Sequence, residues 1–125
     1  MGMEQTVRLP GTVPTWEAIR DLLASRSFPV RLQMIDGELA FPDELPGPDW
    51  HELRVGTPDG TVTVRRAAEA VTLVTWGNAD ASLRRAWNVL TWAYAQAGGG
   101  TILTVQGEQT PDQYRQSADL PAIWR

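Results

Sequence analysis

Polar and apolar positions change period several times along the chain. Trp16, Ile19, Leu22 and Leu23 recur at helical spacing, with Glu17, Arg20 and Asp21 on the other side. Thr12, Pro14 and Thr15 precede them and supply a hydroxyl cap and a first-turn proline, so a helix is expected out to about Ser25. Val30, Leu32 and Met34 then alternate with Arg31 and Gln33, which is strand period. Asp36-Gly37 is a favoured type I′ hairpin turn, and it would pair Ile35 with Glu38, Met34 with Leu39, and Leu32 with Phe41. A second hairpin is expected from Trp50–Val55 and Val62–Arg66. Turning it at Asp59-Gly60 pairs Val55 with Val64 but sets Arg54 against Arg65, which is unfavourable without an acid beside them. Val71–Trp76 carries apolar groups on both faces and reads as a central strand.

The longest periodic stretch follows. Leu83, Trp87, Leu90 and Tyr94 form one helical stripe, flanked by Ala86, Ala93 and Ala97. Asn78 or Asp80 in the Gly77–Asp80 corner would cap this helix, and Gly98-Gly99-Gly100 would stop it. Thr6–Leu9 and Thr101–Val105 read as short strands, with Met1–Gln5 frayed. Thr110-Pro111-Asp112-Gln113 has capping-box chemistry, so a short helix and an apolar tail with Ile123 and Trp124 are expected from about residue 110.

The predicted order is β-α-β-β-β-β-β-α-β-α in one α+β domain spanning residues 1–125. Successive hairpins favour a mostly antiparallel sheet with two main helices on one face, in a ferredoxin-like arrangement with an added hairpin. The expected core comprises Leu32, Met34, Leu39, Phe41, Val64, Leu73, Leu83, Trp87, Leu90, Ile102 and Leu103. Ile102 and Leu103 are adjacent, so both are buried only if their strand is covered on two faces. Trp87→Ala is expected to cost about 3–5 kcal/mol.

Composition narrows the functional classes. The net charge is -4, so clustered positive charge for a nucleic-acid backbone is lacking and no nucleic-acid partner is expected. Cysteine is absent, which removes disulfides, thiolate metal sites and thiol nucleophiles. No basic-then-apolar leader and no spanning apolar run are visible, so no membrane association and a cytoplasmic location are expected. Six tryptophans in so short a chain must either build the core or mark a binding surface.

Candidate chemistry is sparse. His51 is the single histidine, with Asp49 and Glu52 beside it, and is the one weak candidate for a general base. One histidine cannot supply histidine-pair metal spacing, and no metal or cofactor is expected. Asp36, Glu38, Asp43, Glu44, Asp49 and Glu52 form an acidic run that either solvates a sheet edge or steers a basic partner. Trp92 projects opposite the apolar stripe, with Arg85 and Asn88, and needs a cover from the tail, a second subunit or a partner. The expectation is a non-catalytic protein-interaction or accessory domain with an acidic surface, using Trp92, Arg85, Asp43, Glu44 and Asp49. The alternatives are a small-molecule binder or enzyme with a pocket between sheet and helices, and a structural homodimer.

Overall fold

A computed structural model of the chain describes residues 2–41 and 43–121. Eight strands and three helices follow one another as β1 (Gly2–Arg8), α1 (Trp16–Ala24), β2 (Arg31–Ile35), β3 (Glu38–Leu39), β4 (Glu52–Thr57), β5 (Gly60–Ala67), β6 (Ala70–Trp76), α2 (Ala81–Gly98), β7 (Thr101–Thr104), β8 (Gly107–Gln109) and α3 (Pro111–Ser117). The strands form one antiparallel sheet in the order β3-β2-β4-β5-β6-β1-β7-β8. The α+β class follows. The predicted order lacks β8. Nor is the N-terminal segment frayed from residue 2: Gly2 pairs with Trp76, and β1 lies inside the sheet.

The helix ends follow from local chemistry. Thr15 caps α1, accepting from the Ala18 N–H, and Asp80 caps α2 by accepting from the Leu83 N–H. Thr110 and Gln113 close a reciprocal capping box on α3. Gly99 ends α2 in the left-handed conformation, at φ 64°.

The hairpins hold two departures. Asp36 and Gly37 both have positive φ, as a type I′ turn requires, and Met34 does face Leu39. The ladder then stops, and β2 bulges against β4 between Leu32 and Met34. The extra residue at Gln33 reverses the alternation, so Leu32 points to the helices and Met34 away from them. That is why Leu39 and Phe41 are 85% and 74% exposed rather than core. In the second hairpin, β4 and β5 turn one residue earlier than expected, at Pro58-Asp59, so Thr57 pairs with Gly60 and every pairing shifts by two residues. Arg65 therefore meets Glu52, at 2.9 Å, and Arg54 meets Thr63. The register that sets two arginines together is avoided.

Alternate side chains of the sheet face α2, which packs on β1, β5, β6 and β7; α1 and α3 flank it. Leu32, Leu53, Val55, Val62, Val64, Val71, Leu73, Leu90 and Ile102 are buried in one cluster. Leu103, beside Ile102, is only partly buried, because β7 is covered on one face. Leu83 and Trp87 pack at the edge of this core, and the Trp87 indole N–H donates to the Leu73 carbonyl at 2.8 Å. Trp92 is 2% exposed, with the Arg26 guanidinium 4.9 Å from its ring centre, so its cover comes from outside its own helix. Ile123 and Trp124, the expected cover, lie outside the described residues.

Two buried tyrosines differ in one respect. The Tyr114 hydroxyl lies 2.7 Å from Gln5 Oε1 and 2.8 Å from Asn88 Oδ1, tying α3 to β1 and α2. The Tyr94 hydroxyl is buried with no hydrogen-bond partner among the described residues. Burial pushes both phenols up, opposed in Tyr114 by its hydrogen bonds. The same deletion should therefore act in opposite directions. Tyr114→Phe should cost about 1–2 kcal/mol, and Tyr94→Phe should gain about 1 kcal/mol, since it removes an unsatisfied polar group. Urea titration of the two variants side by side measures the sign.

Candidate functional site

The side of the sheet turned away from the helices carries its own cross-strand rows. One row runs Leu39, Met34, Arg54, Thr63, Val74 and Glu4 across β3, β2, β4, β5, β6 and β1. Beside it Arg31 faces Gly56, Gly56 faces Thr61, and Trp76 faces Gly2. Glycines and threonines between larger groups lower the floor. The result is a trough of about 880 Å³, with Arg31, Met34, Leu39, Arg54, Arg65 and Trp76 among its walls. It lies on the bare side of the sheet, not between sheet and helices.

Among the described residues, Trp76 is the tryptophan the core does not take. Trp16, Trp50 and Trp92 are buried and Trp87 is packed at the core edge, whereas Trp76 is 68% exposed. Its position follows from strand alternation: Val71, Leu73 and Thr75 point inward, so Thr72, Val74 and Trp76 point outward. Gln33 lies across Gly56, where a Cβ would approach its Nε2 to 2.7 Å, and its Oε1 accepts from the Thr61 hydroxyl at 2.9 Å. Arg65 is paired with Glu52. Among the described residues, Arg31 and Arg54 form no ion pair. The apolar groups and two uncommitted guanidinium groups thus share one surface. Sequence reading missed Trp76, although the apolar residues on both faces of its strand were the signal.

The residues expected to carry function lie elsewhere. Trp92 is a core residue here and presents no surface. Arg85 is 3.6 Å from Asp119 in an ion pair near the α2–α3 contact. Asp43, Glu44 and Asp49 are exposed on the loop before β4, where Glu44 Oε1 accepts from the Phe41 N–H. His51 is exposed and borders a second cavity of about 660 Å³ with Pro14, Pro46, Trp50 and Arg66. No acid is among that cavity's lining residues to orient the imidazole. Among the described residues, no group of three His, Asp or Glu is placed to hold a metal, and no helix is long and apolar enough to cross a membrane.

Part of the acidic run has a structural task. Asp36 Oδ1 accepts from the backbone N–H groups of Glu52 and His51, at 2.8 and 2.7 Å, which holds its carboxyl below the usual range. A lowered pKa gives stability that is complete above the unfolded value of about 3.9 and is lost as pH falls through the folded value. Asp36→Asn keeps an acceptor and tolerates the turn but loses the charge. It should be less stable by about 0.5–1 kcal/mol at pH 7, since the group is exposed, and equal to the parent once pH has fallen through the folded value. Thermal melts across that range test it. A comparison of the chain with protein-family models, curated proteins and solved structures finds no match in any of the three.

Proposed function

We propose that this chain is a small, non-catalytic protein-interaction domain that docks through the helix-free face of its sheet. The single supporting observation is one trough of about 880 Å³ whose lining includes the exposed Trp76 and Leu39, Met34 and two uncommitted arginines. Aromatic, methionine and arginine side chains are the residues that interfaces concentrate, and large exposed apolar groups in one patch need a cover. The acidic loop with Asp43, Glu44 and Asp49 is a second charged surface, available to steer approach. The chain reads as one domain, supported by its continuous cluster of buried side chains. A ferredoxin-like reading of the centre is supported by the order β5-β6-β1-β7, with α1 after β1 and α2 between β6 and β7.

A photo-crosslinking amino acid at position 76, in the native cell, tests docking. The expected result is an adduct with one partner protein at position 76, and none from the same probe at Glu17 on the exposed side of α1. No adduct at position 76, or the same adducts at both positions, would overturn the reading. A trough of this volume also suits a small ligand. That second reading is favoured if position 76 captures no protein and a small metabolite copurifies with the parent but not with Trp76→Ala.

A further inference from the structure

Resting on that reading, we infer that the trough takes an acidic polypeptide segment of the partner, with apolar anchors seated against Trp76 and Leu39. The chain is acidic overall, at -4, yet the trough is lined by Arg31, Arg54 and Arg65 against Glu4. Glu52 neutralises Arg65 at 2.9 Å. Arg31 and Arg54 keep their charge for a ligand, and the register places them diagonally on adjacent strands, Arg31 facing Gly56 and Arg54 two residues before it. Side chains so placed are about 7 Å apart, near enough to hold one carboxylate together or two on alternate residues of an extended chain.

Extent favours a polypeptide over a small molecule. The row from Leu39 to Glu4 crosses six strands. At about 4.8 Å between strands it is roughly 24 Å long, the reach of about seven extended residues. Charge also argues against a second copy of this chain: an isologous pairing of trough on trough brings the uncommitted arginines of both copies into one seam, with Glu4 the one acid among the trough's lining residues. A nucleic acid needs a longer basic track than two uncommitted arginines provide.

A random nonapeptide library displayed on phage and selected on the full chain tests the inference. Selected peptides should carry Asp and Glu over Lys and Arg by about two to one, with Leu, Phe or Trp enriched. Their binding should weaken about tenfold in Arg31→Gln/Arg54→Gln, weaken similarly between low and high salt, and turn toward Lys-rich peptides in Arg31→Glu/Arg54→Glu. Trp76→Ala should remove the apolar enrichment. These positions are on the surface, so the melting temperature of each variant confirms an intact fold. Neutral or basic selected peptides, binding indifferent to the arginines, or equal binding of a nine-residue oligothymidylate would overturn it. So would a dimer in sedimentation that Trp76→Glu dissociates, because a second copy would then occupy the face. Basic peptides lost on Asp43→Asn/Asp49→Asn would overturn this inference while the docking reading stands. No enriched peptide, together with no adduct at position 76, removes both.

Discussion

Trp92→Ala should be the most destabilising single truncation in α2, at about 3–5 kcal/mol. Trp92 is 2% exposed, and its ring packs outside the stripe that faces the sheet, beneath Arg26. Removing the indole leaves a cavity that rigid neighbours cannot fill. Trp87→Ala, the truncation the helical stripe singles out, should cost less, about 2–3 kcal/mol, because Trp87 is only partly buried. It also removes the hydrogen bond that the indole N–H donates to the Leu73 carbonyl. Against a total stability of roughly 5–15 kcal/mol, the larger loss can unfold much of the population. Urea titrations of the two variants give the order; a Trp92→Ala loss under about 1 kcal/mol would mean the ring is not core.

The second large effect is expected at Gly100, where alanine should cost about 3 kcal/mol. Three consecutive glycines follow α2, and each has its own reason. At Gly98 a methyl group would meet the flexible end of Leu9 and the Pro14 ring. Gly99 has open space but a left-handed backbone at φ 64°, so alanine there should cost about 1 kcal/mol. At Gly100 the methyl group would run into the Arg8 carbonyl oxygen, which is backbone and cannot step aside. Arg8 pairs with Thr101, so relief requires β1 and β7 to part. Gly99→Ala is the control: an equal loss at both positions would show that conformation, not the close approach, dominates.

What was legible in the sequence is what neighbours decide. Thr15, Asp80, the Thr110–Gln113 box and the Asp36-Gly37 turn act within four residues, and each does what its chemistry implies. The stop at Gly99 was legible too, but not the collision behind Gly100, since Arg8 is far away in the chain. β8 was missed although it had a signal. Thr104-Val105-Gln106-Gly107 repeats the spacing of Thr57-Pro58-Asp59-Gly60, and in both turns the threonine hydroxyl donates to the glycine carbonyl and accepts from the amide two residues on. The bulge at Gln33 left no local mark, and it sent Met34, Leu39 and the trough wall to the outer side. Trp92 was assigned to a wet face because periodicity identifies one buried stripe, whereas a helix wedged between a sheet and other helices is buried on more than one. β6 was read as central from its apolar residues on both sides, and it does lie between β5 and β1, but a central position leaves its outward side uncovered at Trp76, which is 68% exposed.

The first strand of the chain is among the last to find its place. Its neighbours are β6 and β7, so Thr6 waits for both Thr72 and Leu103. The meander from β2 to β6 pairs only within itself, β2 lying between β3 and β4, and can assemble without it. On a ribosome, then, the N-terminal segment emerges early and stays unpaired while the meander and α2 are made. Insertion of that segment closes the longest strand-pairing loops among the described residues, so it is expected to set the folding time, on the order of milliseconds to seconds for sheets ruled by distant pairings. Until it docks, two inner strand edges are open, and a neighbouring chain's first strand fits them equally well. Exchange of that strand is therefore the expected failure when nascent chains of this sequence crowd together.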